Sequence, residues 1–318
     1  MPLHSFLRSL LSVALMPLAL AASACESTNC TCSDGGIQCR RAGSWWVAVN
    51  TNFQVCSLRS SDEARLAAQR CEEVRASLLS ALQFPKEGAH WSPRCQVILY
   101  PDVGSYVSAV GRGSEVTVGS SLVKPRTGTI TSRRIDLRSD APRYLDAALP
   151  HEMCHLLVAD QFRDHPAPLW YDEGLALLVD PPEKLRLHER DLRDGLRLGT
   201  AFPISEMLSV ERYPEPCRMG VFYGQCAALT QLLLNEGRPS RIHEFASQIT
   251  AVGVNPALQA SYGIRGVPEL EQKWARHDYS LFSQPVASLL PVNNYGELVV
   301  FASRSKADAA FVRVSISD

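Results

Sequence analysis

His151-Glu152-Met153-Cys154-His155, followed by Leu169-Trp170-Tyr171-Asp172-Glu173-Gly174-Leu175-Ala176, is the stretch on which the reading of this chain turns. Residues i and i+4 of an α-helix stand one above the other on the same face. A helix through 151–155 therefore aims two imidazoles at one point. Glu152, turned by about 100° around the helix axis, reaches the space beside that point without joining it. Seventeen residues separate His155 from Glu173. Within them, Pro166-Ala167-Pro168 makes a tight turn that lets a second helix, expected over Asp172–Val179, fold back across the first and deliver the Glu173 carboxylate.

Two imidazoles, one carboxylate and a position left for water are the donor set that zinc takes in an open site. The expected ligands are His151, His155 and Glu173, and the expected cofactor is Zn2+. Zinc brings the pKa of bound water to about 7, and Glu152 is placed to take its proton as general base and pass it to a leaving amine. Tyr223, at the start of an apolar helix over 219–236, is the candidate donor to the developing oxyanion, with Tyr213 and Tyr262 as competitors.

The rest of the chain is consistent with an exported globular protein. Its 318 residues are 46% hydrophobic and 20% charged, with a net charge of -1. That balance argues against global disorder and gives nucleic acid no basic surface to bind. Residues 1–24 read as a signal peptide: Arg8, an apolar run from Leu10 to Ala21, then Ala22-Ser23-Ala24. Cys25 follows directly, so the expected place is the bacterial cell envelope or outside it. Either simple secretion or a lipid anchor on Cys25 is open, and that anchor is the one membrane attachment expected. Ten cysteines fit an oxidising compartment and suggest disulfides, with Cys217 and Cys226 close enough in sequence to pair. Cys154 is either a buried filler, a thiol at the metal site or a partner of Cys226.

Residues 25–43 read as a Cys-rich leader or linker. Strands are expected over 45–50, 52–57, 95–100, 115–123 and 127–137, the last two joined at Lys124-Pro125-Arg126. Helices are expected over 61–82, capped by Ser61 or Asp62, then over 102–110, and from a Ser139 or Asp140 cap toward His151, where Pro150 kinks or restarts the helix. Further helices follow over 185–198, 219–236, 240–250 and 268–281. Arg133-Arg134 reads as surface charge or a contact for a substrate acid. His165, His188, His243 and His277 have no partners at ligand spacing and read as structural. Residues 283–318 read as a tail or a late strand pair.

With these residues in view, the chain resembles the gluzincin peptidases, and within them the bacterial peptidase-MA-like domains. The resemblance rests on PHEMCHLL, APLWYDEGLALLV, FYGQCAALTQLLLNEG and PELEQKW, and is specific only near 148–180 and 219–237. It implies an α+β, zincin-like fold over 44–282: a mixed sheet half (44–160), then an all-helical half (161–282). It implies zinc-dependent hydrolysis of a peptide or protein substrate, with ligands His151, His155 and Glu173, base Glu152 and a transition-state tyrosine at Tyr223. The G-x-M-E-N segment by which the aminopeptidase branch grips a free N-terminus is absent. Gly119-Ser120-Ser121 occupies that region without the glutamate, which favours an endopeptidase. The resemblance also implies substrate binding along an edge strand, expected at Thr127–Leu137. A reading from another class is an envelope scaffold or binding protein that holds zinc without catalysis. The intact Glu152 favours the enzyme, because a purely structural site has no use for a carboxylate there.

Overall fold

The computed structural model describes residues 36–84 and 90–279. The segments 1–24 and 283–318, together with Cys25, Cys30 and Cys32, lie outside the described residues. The fold is mixed α/β, with a six-stranded sheet in the N-terminal half and helices after it.

Strands β1 (Gln38–Ala42), β2 (Trp45–Val49), β3 (Phe53–Ser57), β4 (Cys95–Tyr100), β5 (Gly119–Arg126) and β6 (Thr129–Arg138) lie in the order β1-β2-β3-β4-β6-β5. Neighbours β1 to β3 are antiparallel, β3-β4-β6 are parallel, and β5 runs antiparallel to β6 at the far edge. Val55, Val97 and Ile135 come into register across the three parallel strands and point at the core. Each buried branched side chain of this kind contributes about 1.5–3 kcal/mol of transfer free energy.

Two placements in the sheet correct the sequence reading. The end of the Cys-rich leader is β1, joined to β2 by a turn with Gly43 at φ 60°. Its alternation is too short and too polar to stand out. The strand expected at the edge, 127–137, is interior, and β5 is the edge instead. The β5–β6 turn also lies further on than expected. Thr127 and Gly128 take positive φ (49° and 74°) and make it, while Lys124-Pro125-Arg126 stays in the strand around an irregularity at Lys124/Pro125.

Helix α1 (Ser61–Ala81) crosses from β3 to β4 and is capped by Ser60, whose side chain accepts from the Glu63 amide. That is one residue earlier than expected, since the hydroxyl has to sit outside the first turn to reach back to it. Helix α2 (Val103–Val110) is capped by Asp102. Helix α3 (Tyr144–Gln161) carries the HExxH residues without a break through Pro150. Its start is not a Ser139 or Asp140 cap but Arg143, in a left-handed conformation at φ 54°. From Ala148 to Ala159 every residue of α3 is buried, because α3 is packed against β5 and β6, α1 and the following helix at once. A helix enclosed in this way shows no amphipathic stripe.

The helical half continues with α4 (Leu169–Leu178), α5 (Pro182–Leu198), α6 (Ile204–Ser209), a 3-10 turn (Pro216–Arg218), α7 (Met219–Asn235), α8 (Ser240–Val252), α9 (Val254–Tyr262) and α10 (Val267–Trp274). Helix α4 begins three residues before the expected start, directly after Pro168. Helices α6 and α9 are too short for their periodicity to register. Gly174 lets α4 lie directly on α7: a Cβ there would stand 2.0 Å from Thr230 Oγ1 and 2.6 Å from the Cys226 carbonyl oxygen. That contact sets where Glu173 emerges.

Both Arg133 and Arg134 are engaged within the fold, and only Arg134 keeps a partly exposed side chain. Arg133 is buried and paired with Asp160 at 2.5 Å, while Arg134 pairs with Asp136 at 2.7 Å. Trp91 lies between Arg75 and Arg133, 4.8 and 5.0 Å from its ring centre. Its indole nitrogen donates to Asp160, so the end of α3 is tied to the sheet through a polar network. His243 bridges the Tyr171 hydroxyl and the Leu82 carbonyl, a structural role as expected. The suggested cysteine pairs are not formed: Cys154 and Cys226 are buried thiols and Cys217 is an exposed one. No described helix is long and apolar enough to cross a membrane.

Candidate metal centre

The two HExxH imidazoles converge as the i, i+4 spacing requires. His151 Nε2 and His155 Nε2 lie 3.3 Å apart, with ring planes at 76°. Two nitrogens bound at about 2.0–2.1 Å to one tetrahedral ion are separated by about 3.4 Å, so the spacing fits a shared cation. The Glu173 carboxylate arrives from α4, and one ligand atom from each of His151, His155 and Glu173 falls within 4.8 Å of the others. All three side chains are buried. The residues predicted to meet from 18 positions apart in sequence therefore do meet, and the group could hold a metal ion.

Each imidazole is turned by a carboxylate behind it. Asp180 Oδ1 faces His151 Nδ1 at 3.1 Å, and Asp172 Oδ1 faces His155 Nδ1 at 2.8 Å. A carboxylate accepts, so each Nδ1 carries the proton and each Nε2 is directed at the common point. Neither aspartate is marked as a partner of the histidines by sequence spacing. Asp172 had a signal, as the residue before Glu173, whereas Asp180 had none beyond standing at the end of α4.

The site also concentrates buried acidic groups that a cation would offset. Glu152, Glu173, Asp172 and Asp180 are four buried carboxylates, and Lys184, 2.9 Å from Asp180 Oδ2, is the ammonium set against them. Burial alone would raise Asp180, but Lys184 and then His151 hold it down at about 2. Burial opposes charge on His155, yet Asp172, Glu173 and Glu152 outweigh it and hold His155 up at about 9. Such a concentration of negative charge away from water is costly unless an ion compensates it. Burial pushes His188 down to about 3, so it sits neutral beside this cluster.

Glu152 is buried and near enough to the ligand group for its charge to raise His155. Its Oε2 accepts a 2.7 Å hydrogen bond from Ser121 Oγ on β5, a contact with no local signal in the sequence. Of the three candidate tyrosines, Tyr213 donates to Glu173 Oε1 at 2.5 Å. Tyr223 is buried nearby, edge-on to His188 with ring centres 5.9 Å apart. Desolvation, then the negative charge of Glu173, drives both phenols far above their ordinary value, so both stay protonated and able to donate. Tyr262 packs on Phe245, 5.7 Å between ring centres, in the α8–α9 layer, and drops out of the candidates.

Comparison with known proteins adds no family: no family model matches the chain, and no curated protein matches it.

The aspartate behind His155 gives a direct test of the ligand geometry. Asp172→Ala is expected to weaken metal binding roughly 10- to 100-fold, the usual effect of deleting a carboxylate that orients a ligand histidine. Competition against a chelator of known affinity measures it. An unchanged affinity would mean that Asp172 does not hold His155 in its ligating position.

Proposed function

We propose that this protein is an exported zinc-dependent endopeptidase of gluzincin type with a zincin-like fold. The observation that carries the proposal is the convergence of His151, His155 and Glu173 on one buried point, with the Glu152 carboxylate near enough to act on His155 through its charge. His151, His155 and Glu173 would hold the ion. A bound zinc ion supplies Lewis acidity, drawing the pKa of water toward about 7 and polarising a carbonyl oxygen.

The chain's own groups do the rest. Glu152 takes the proton of the attacking water and returns it to the leaving nitrogen. A phenol donates to the carbonyl oxygen as charge develops on it. Tyr213, already hydrogen-bonded to a ligand carboxylate, is favoured over Tyr223 for that role. Asp172 and Asp180 keep both imidazoles in register through the cycle. Among the described residues no strand pairs with the outer edge of β5, which reaches Glu152 through Ser121, so a substrate strand would add there and not on β6. An extended segment laid along an open edge needs no free terminus, which agrees with the missing N-terminus-binding glutamate.

Metal analysis and cleavage profiling on a mixed peptide library test the proposal together. The expected result is one zinc per chain and internal cleavage that a chelator abolishes. Zinc without cleavage of any peptide would favour the scaffold reading.

A further inference from the structure

Strand β5 does more around Glu152 than form an edge. Gly119 and Ser121 are two residues apart, paired with Leu137 and Ile135 of β6, and therefore share the face turned toward α3. Ser121 is buried, and its hydroxyl donates to Glu152 Oε2 at 2.7 Å. A Cβ on Gly119 would stand 2.9 Å from Glu152 Cγ and 3.0 Å from Oε1. The Glu152 side chain thus lies flat on the strand, pressed against Gly119 along its length and held by Ser121 at its tip. Neither neighbour contributes a competing charge.

We infer that Ser121 is a positioning residue for the general base, and that Gly119 is the clearance that admits the base to this position. Ser121 engages one carboxylate oxygen and so leaves Oε1 to receive the proton. Because both residues belong to the strand on which a substrate would add, the base and the substrate backbone are referenced to the same element. This inference rests on the peptidase reading above and assigns part of its machinery.

The experiment uses the full, zinc-loaded chain and an internally quenched version of the best-cleaved library peptide. Ser121→Ala is expected to lower kcat on the order of 10- to 100-fold, the effect of losing one hydrogen bond to a charged group and with it the alignment of the base. KM should stay within about twofold, since ground-state binding is untouched. Zinc content is expected to be unchanged, and Ser121→Thr, which keeps the hydroxyl on a strand, to restore most of kcat. Crystals of Ser121→Ala are expected to show the Glu152 carboxylate away from its wild-type place. Gly119→Ala is the second variant: it displaces the base by contact and lowers kcat in the same way. If Ser121→Ala keeps wild-type kcat while Glu152→Gln abolishes it, the positioning role is overturned and the peptidase stands. If the wild-type protein binds zinc and cleaves nothing, the peptidase reading itself fails, and this inference with it.

Discussion

Glu152→Gln is expected to keep zinc at one per chain and to lose peptide cleavage by about 10²- to 10⁴-fold, the contribution of a positioned general base. The exchange is nearly isosteric, and the buried amide can still accept from Ser121. What disappears is the ability to take a proton. The same substitution removes one of four buried carboxylates at a centre where Lys184 is the paired ammonium. The metal-free variant should therefore melt no lower than the metal-free wild type, because like charges in a dry site repel. Metal analysis, steady-state kinetics and thermal melting of the two proteins check the three parts. Retained cleavage would remove Glu152 from the chemistry. Lost zinc would make it a ligand instead of a base.

The largest effect expected on the fold is at Gly174. Its Cβ position lies 2.0 Å from Thr230 Oγ1 and 2.6 Å from the Cys226 carbonyl oxygen of α7. The side chain of Thr230 can be removed, but a backbone carbonyl within a buried helix cannot step aside. Gly174→Ala should therefore destabilise by about 3 kcal/mol, the upper end of ordinary overpacking penalties, and should weaken zinc binding by moving Glu173 next to it. In the double variant Gly174→Ala/Thr230→Ala, part of the loss is expected to return, because one of the two clashes is gone. Urea unfolding of the wild type, the single variants and the double variant measures the coupling. An unchanged midpoint for Gly174→Ala would mean that α4 and α7 are not in contact there.

How much of this was legible in the sequence follows from how local each feature is. His151 and His155 are fixed by helical spacing, and Glu173 by a turn between two helices. The ligand group is short-range and could be read directly. The strand at 95–100 and the hairpin at 45–57 announce themselves by β-branched and aromatic runs. The order of strands does not. Period-two alternation tells which residues share a face but not which strand lies outermost, and so the expected edge strand is β6 where the fold has β5. Strand β1 hid within a polar, Cys-rich segment, and among the described residues it pairs with β2 alone. The groups that tune the site were the least visible: Ser121 reaches Glu152 from 31 positions away and Tyr213 reaches Glu173 from 40. No periodicity spans such distances, since tertiary packing alone brings those side chains together.

The central claim is that one ion is held by His151, His155 and Glu173. Crystals grown with zinc, measured at the zinc absorption edge, test it most directly. A single anomalous peak is expected about 2.0–2.1 Å from both Nε2 atoms and about 2.0–2.2 Å from a Glu173 oxygen. A peak elsewhere, or zinc at the histidines with the Glu173 carboxylate turned away, would contradict it.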